Sequence, residues 1–507
     1  NNPILYQCLY SNIFTLVLIY LKGYLRFFKN FIKNLKKYWH NRGYVMRKIK
    51  LSNDGLMTEG SIGKQLIGFA FPLLLGNLFQ QLYNTVDAVI VGKFVGSEAL
   101  AAVNSSTPLV NLLVSFFMGI SVGAGVVISQ YYGAKNDKKL HDAVHTTVAL
   151  ALASGIFMTF VGIVLSPIIL KLMGTPEDVM GLSTIYLQIY FGGILGIVVY
   201  NMCSGILRAV GDSTKPLIFL IVSSVVNIIL DLLFVVLFDM GVSGVAFATL
   251  IAQFVSAGLT IFVLIKTPYN FKLILRDIKF NKLQIIKIIR IGLPTGIQNT
   301  IVSLSNVVVQ GNINSFGTLA MAGCGSYAKI DGFAILPVMS IAMATTTFTG
   351  QNIGAKKYNR VKEGAKIGTI FSIITVVTIS TIIMIFTPNI LKIFTNDSDV
   401  IYYGTLMMKC LAPGYIFLGL SHLFSGVLRG AGKTTVPMII MVLCWCFLRM
   451  AWVLTFTPIF NDIKIVFFGY PITWFASAAI LLIYYKKANW LPHEKIIEGE
   501  TTLEESC

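Results

Sequence analysis

A chain of 507 residues that is 55% hydrophobic and only 12% charged repeats apolar runs of about 20 residues, the length that crosses a bilayer, along most of its length. Its 40 Lys and Arg against 22 Asp and Glu would suggest nucleic acid in a soluble protein, but the basic residues gather between the apolar runs, so the implied partner is a lipid bilayer. Apolar and polar residues do not alternate over segments of about 10 residues, which excludes an outer-membrane barrel, and the expected fold is an all-α polytopic membrane protein.

Residues 1–56 form a basic N-terminal extension. Residues 1–45 hold seven Lys and Arg and no acid around one apolar stretch, IFTLVLIYL, and Met46 is followed by RKIK. The expectation is upstream sequence outside the working protein, the alternative a membrane-surface helix. Twelve spans follow, at about 65–91, 105–131, 143–170, 182–207, 216–238, 243–265, 291–313, 327–351, 367–391, 400–427, 437–459 and 465–485. They fall into an N-lobe (57–265), a basic linker (266–290), a C-lobe (291–487) and a tail (488–507). Loops after even-numbered spans are basic (YYGAKNDKK, LRAVGDSTK, GAKKYNRVKEGAK), whereas MGTPEDV and TNDSD on the other side are acidic, which places both termini in the cytoplasm. In GTPEDV, Thr175 is expected to cap a helix whose first turn holds Pro176, Glu177 and Asp178.

Gly432-Lys433-Thr434 imitates the end of a phosphate-binding loop. The first glycine of that pattern should stand where Val427 stands, Gly426 is one residue too far upstream, and the stretch lies between two apolar segments. No nucleotide is therefore expected. SGILRAVGDSTKP (204–216) and SGVLRGAGKTTVP (425–437) share one frame, and the offset that carries Ser204 onto Ser425 also carries Gln130–Lys135 onto Gln351–Lys356. With one residue of slippage Pro72 falls on Pro294. Six spans per half keep both halves in the same orientation, related by an axis along the membrane normal. The GAGKTT segment is then a turn between two spans.

An ionisable side chain inside a span costs several kcal/mol unless it faces a partner or a cavity. Asp87 lies deep in the first span and Asp231 deep in the fifth; Tyr83 and Asn227 precede them by four residues and share their helix faces. Each aspartate is either satisfied structurally by a nearby hydroxyl or amide or, as is expected for buried carboxylates with oxygen-rich neighbours, binds a small cation or exchanges a proton. The repeat maps Asp87 onto Val309, and Asn227 and Asp231 onto Leu448 and Trp452, so this chemistry belongs to the first half alone. An uncharged stripe is shared: Asn77, Gln81 and Asn84 map onto Asn299, Ser303 and Asn306, fitting a cavity lined by both halves or hydrogen bonding between helices. Pro72 is expected to bend the first span and free a carbonyl. Lys329, Asp331 and Arg449 are expected to pair in the interior or to touch substrate. The five histidines, His145 and His422 included, read as packing residues. The seven cysteines show no C-x-x-C, so neither a disulfide framework nor a zinc site is expected.

At these residues the chain resembles the multidrug and toxic compound extrusion (MATE) transporters, over essentially all of 57–490. The resemblance rests on Pro72, Asn84 and Asp87, on the paired LR-x-x-G-x-x-T turns, and on Asn227 and Asp231 followed by GVSGVAFATLIAQ. It implies two six-helix lobes forming a V around a central cleft, and antiport of organic cations or drugs against Na⁺ or H⁺, with no other cofactor. For prokaryotic members with an N-lobe cation site it implies roles in holding Na⁺ or H⁺ for Asp87, Asn227, Asp231 and Thr249, with Tyr83 and Asn201 as neighbours. Gln298, Asn299 and Gln310 on the seventh span, and Lys409 near the outer end of the tenth, stand where other members place acids, so no C-lobe site is expected. The partners implied are cationic or amphipathic small molecules and the bilayer, for a monomer in the plasma membrane. A flippase for a lipid-linked precursor is the nearest alternative. A membrane-embedded enzyme would need a convergent catalytic set, which is absent, and the repeat disfavours a channel.

Overall fold

The computed structural model describes residues 56–491; the N-terminal extension and the last part of the tail lie outside the described residues. The first half holds α1 (Ile62–Ile90), α2 (Ser97–Gly133), α3 (Asp137–Leu172), α4 (Glu177–Gly192), α5 (Ile194–Ala209), α6 (Thr214–Asp231) and α7 (Gly241–Lys266). The second holds α8 (Lys282–Asn314), α9 (Thr318–Gly354), α10 (Tyr358–Phe394), α11 (Ser398–Leu411), α12 (Tyr415–Gly430), α13 (Thr435–Val442), α14 (Arg449–Phe460) and α15 (Ile463–Lys487). Among the described residues ten helical runs are long and apolar enough to cross a membrane, and α4 with α5, bent by 42°, makes an eleventh. The twelfth is α8. Its 33 residues are ample, but Gln298, Asn299, Asn306, Gln310 and Asn312 make it too polar to qualify by composition. The twelve spans form two six-helix lobes, each around its own buried core.

The repeat is written in the backbone. Gly96 and Gly317, Lys135 and Lys356, and Gly211 and Gly432 form three pairs at the offset of the two Ser-Gly-x-Leu-Arg segments, and all six residues have positive φ. After α5 the N–H of Asp212 bonds Leu207 O and that of Gly211 bonds Arg208 O; after α12 Lys433 and Gly432 do the same to Leu428 and Arg429. Each is the hydrogen-bonded turn that closes a helix around a left-handed residue. This is the whole content of the apparent phosphate loop. Gly432→Ala is expected to cost about 1 kcal/mol, read in thermal unfolding of the purified protein, because its φ of +79° crowds any Cβ.

Two spans that read as continuous in the sequence are broken. The fourth bends at Gly193 and the tenth passes through a short 3₁₀ turn, Ala412–Gly414; Gly193 and Gly414 are again equivalent positions of the repeat. A Cβ on Gly414 would lie 2.7 Å from Pro471, and one on Gly193 would lie 3.2 Å from Leu250. Close approach of a neighbouring helix, not flexibility, places glycine at both breaks. Pro72 differs in the other direction, since α1 runs on through it from Ile62 to Ile90 and turns π-helical only at Val91–Val95. Thr175 does not cap α4. Its N–H closes the end of α3 on Leu170 O around Gly174, and Pro176 takes the cap position with no side-chain hydrogen bond.

The lobes cross-pack. Gly119 and Gly123 of α2 meet Gly296 and Gly292 of α8 so tightly that a Cβ on Gly119 would fall 2.2 Å from the Gly296 nitrogen. Two small-xxx-small motifs face each other, the arrangement by which membrane helices gain close dispersion contact without a hydrophobic driving force. In the related contact Leu66, Phe69 and Leu73 of α1 pack on Ala344 and Phe348 of α9.

Candidate functional site

Asp87, at the C-terminal end of α1, and Asp231, the last residue of α6, face each other at close range. Asp231 and Asn227 are 0% and 1% exposed. Both oxygens of Asp231, both polar atoms of the Asn227 amide and Oδ1 of Asp87 are buried with no hydrogen-bond partner. A buried polar atom without a partner costs about 1–3 kcal/mol, and a proton shared between the facing carboxylates or a small cation among them would remove that cost for the aspartates. The set is made of hard oxygen donors with two formal negative charges, a chemistry suited to a small cation or to shared protons.

Tyr83, one turn before Asp87, lies within electrostatic reach of both carboxylates, and so does Tyr186 on α4. Tyr190 stands beside Tyr186, with ring centroids 6.3 Å apart. The sequence reading missed Tyr186 and Tyr190; their spacing of four residues inside an apolar run was the available signal. Thr249, half-buried on α7, is not a hydrogen-bond partner of either Asp231 oxygen. Asn201 makes no hydrogen bond to the carboxylates: its side-chain amide donates to Ile197 O of its own helix, and its backbone carbonyl accepts from Ser121 and Arg208. The side chain of Asn84 lies outside the described residues.

The shared amide stripe divides. Asn77 donates to Ser340 across the lobes and Asn299 donates to Ser115 in the reverse direction, while Asn299 also lines a cavity of about 170 Å³ between the lobes. At Gln81 it is the backbone carbonyl that accepts from the Thr85 hydroxyl. Asn306 instead accepts from Arg449, which also donates twice to Thr473 and lies 4.3 Å from the centre of the Tyr470 ring. Asp331 accepts from Tyr415, whose hydroxyl is 2.8 Å from that of Tyr327. Of the three charged residues Lys329, Asp331 and Arg449, these hydrogen bonds of Asp331 and Arg449 run to neutral groups and not to each other. Arg449→Lys is expected to cost about 1–3 kcal/mol in thermal unfolding, because a single ammonium cannot span Thr473 and Asn306 while stacking on a ring.

His145 is more than packing. Its Nδ1 lies 2.7 Å from the His141 carbonyl and its Nε2 accepts from the Ile274 N–H, so it ties α3 to the linker between the halves. His141, stacked on His145, adds a contact to Asp277 at 3.2 Å. With both nitrogens of His145 committed to backbone groups, this trio reads as a structural tie.

The family model MatE matches residues 72–233 and 294–454, one match in each half of the repeat. The chain belongs to the MATE family. Among curated relatives, the probable multidrug resistance protein YoeA of Bacillus subtilis is 31% identical over 453 residues, covering 86% of this chain and 97% of that protein. The probable multidrug resistance protein NorM of Thermotoga maritima is 29% identical over 393 residues, covering 75% of this chain and 82% of that protein. Among solved structures, an outward-facing multidrug resistance MATE family transporter of the MOP superfamily aligns with a TM-score of 0.81 at 22% identity, over 86% of this chain and 98% of that one. That likeness is one of fold. The MATE assignment accounts for the two lobes and for the multi-pass membrane architecture.

Proposed function

We propose that the protein is a secondary active multidrug efflux antiporter of the plasma membrane, exporting organic cations or drugs in exchange for Na⁺ or H⁺ by alternating access. The reading has it act as a monomer with both termini in the cytoplasm, and the multidrug resistance relatives support the cargo class. The observation that supports coupling is the orphaned trio Asp87, Asn227 and Asp231. Two facing carboxylates in an apolar lobe repel unless a cation or a proton lies between them. Na⁺ or H⁺ entering from outside neutralises the pair, draws α1 toward α6 and lowers the affinity for drug. Loss of the ion to the cytoplasm restores the repulsion and drives α1 away. The packing of α1 on α9 of the other lobe, through Leu66, Phe69 and the Asn77–Ser340 bond, is the route by which that movement reaches the cleft. Thr249 and Tyr83 complete the ion site in this reading, and α1, continuous through Pro72 in this structure, bends there during the cycle. Linkage requires that drug and ion weaken each other's binding.

The test is efflux of a fluorescent organic cation from liposomes, with Na⁺ and pH gradients imposed separately at zero membrane potential. Efflux driven by one gradient names the ion. Efflux that ignores both would sink the antiport reading.

A further inference from the structure

We propose that Arg208 and Arg429 form an anion-binding subsite in the cavity between the lobes, which takes the carboxylate or phosphate group of a small amphipathic molecule. The proposal goes beyond efflux of cations and does not depend on which ion drives transport. The two arginines stand at equivalent places in the two Ser-Gly-x-Leu-Arg segments, and both line the cavity of about 170 Å³. Gly205 and Gly426 explain how they arrive there. Cβ atoms on these glycines would lie 2.7 Å from Ser121 Oγ and from the Ala342 carbonyl, so each segment is pressed onto a helix of its own lobe and its arginine projects at the lobe boundary.

No Asp or Glu is among the residues lining the cavity, and among the described residues no ion pair involves either arginine. Arg208 has one long hydrogen bond, Nη2 to Asn201 O at 3.4 Å, and Nε of Arg429 is buried with no partner. His422 lines the same cavity at 6% exposure, and its Nε2 is buried and unpartnered as well. It supplies a third donor in the tautomer that carries its hydrogen there. Two half-buried guanidiniums at the ends of α5 and α12 without a counter-charge are costly to desolvate, and a planar fork of donors matches a carboxylate or phosphate. The remaining walls mix uncharged polar side chains such as Thr295, Gln298 and Asn299 with an apolar part, Phe69, Met118 and Val122 from one half and Met339 and Met343 from the other. They fit the body of an amphiphile and leave a bare inorganic ion poorly enclosed.

The full chain, purified in a neutral detergent, is titrated with hexyl phosphate, inorganic phosphate and hexyltrimethylammonium, and binding is followed by calorimetry. Hexyl phosphate is expected to bind at least about tenfold more tightly than inorganic phosphate, because its chain meets the apolar wall. Arg429→Gln and Arg208→Gln should each weaken hexyl phosphate by about tenfold or more while leaving hexyltrimethylammonium unchanged. Should a glutamine variant not fold, Arg429→Lys replaces it, and an intermediate loss is expected from the retained charge without the fork. Repeating the titration in phosphatidylglycerol and phosphatidylcholine nanodiscs separates the sources. Competition only in phosphatidylglycerol supports a lipid headgroup in the subsite, and equal binding in both supports a soluble anion. No binding of hexyl phosphate by the unmodified protein, or binding undiminished in the folded variants, overturns the proposal.

Discussion

Asp231→Asn and Asp87→Asn are each expected to reduce ion-driven efflux by about 100-fold while the protein still folds and binds a lipophilic cation with an affinity that no longer responds to the ion. The magnitude is that of a coupling free energy between two sites, commonly about 1–3 kcal/mol. The asparagines keep the shape of the carboxyls and remove the charge whose neutralisation does the work. Folding should survive, and thermal unfolding should show equal or higher stability, because an amide in place of a buried carboxylate relieves the repulsion between Asp87 and Asp231. A merely structural pair would behave in the opposite way, with transport retained in whatever fraction of protein folds. Asn227→Ala makes a useful third variant. It leaves both charges and removes two of the orphaned polar atoms, so it should weaken ion dependence less than either aspartate change. Full gradient response in Asp231→Asn would remove the trio from the coupling mechanism.

Why that trio was legible in the sequence, and its surroundings were not, has a physical explanation. A carboxylate in the middle of an apolar run announces itself, since its cost must be met by something, and Asn227 shares its helix face by simple periodicity. Tyrosine carries no such signal, because an aromatic ring in a span is ordinary and only the fold brings Tyr186 within reach of Asp87. The repeat was visible in the two Ser-Gly-x-Leu-Arg segments, and the structure returns it as paired left-handed residues, paired helix breaks and paired arginines. The amide stripe was visible too, but its division was not. Asn299 meets Ser115 and Asn306 meets Arg449, partners 184 and 143 residues away, and nothing local distinguishes the two fates. The broken fourth and tenth spans escaped notice because Gly193 and Gly414 sit in apolar runs whose composition suits a straight helix. What the glycines answer to there is a neighbouring helix, which hydropathy does not report.

Gly354→Ala and Gly133→Ala are expected to open the basic end of the interlobe cleft. The two glycines end α9 and α2 at equivalent positions of the repeat, and their contacts are reciprocal. A Cβ on Gly133 would fall 1.9 Å from the Gln351 carbonyl oxygen, and one on Gly354 would fall 1.9 Å from that of Gln130. The same glutamines bond across the lobes, Gln130 Nε2 to Gly430 O at 3.0 Å and Gln351 Nε2 to Ala209 O at 2.9 Å. Each substitution therefore sets two effects against each other. Alanine is better than glycine in a helix by about 1 kcal/mol, but a methyl pressed into a backbone carbonyl cannot be relieved by turning a side chain. The helices must separate, and overpacking of this kind costs about 1–3 kcal/mol, which corresponds to a roughly 5–150-fold shift in the population of the closed basic end. Thr347, which lines the cavity, provides the readout. In a background free of other cysteines, Thr347→Cys should react faster with a membrane-impermeant thiol reagent applied from the cytoplasmic side when either alanine is present. Gly325→Ala and Gly332→Ala lie on the same helix α9 with nothing within 4 Å of the added carbon, so they gain the helix propensity without the clash and should leave the reaction rate unchanged. If the interlobe crossing is a gate, Gly133→Ala and Gly354→Ala should shift the rate by similar factors, since the repeat places them in equivalent positions. A large effect from one and none from the other would mean that the two crossings are not mechanically equivalent, and the gate would then belong to one lobe.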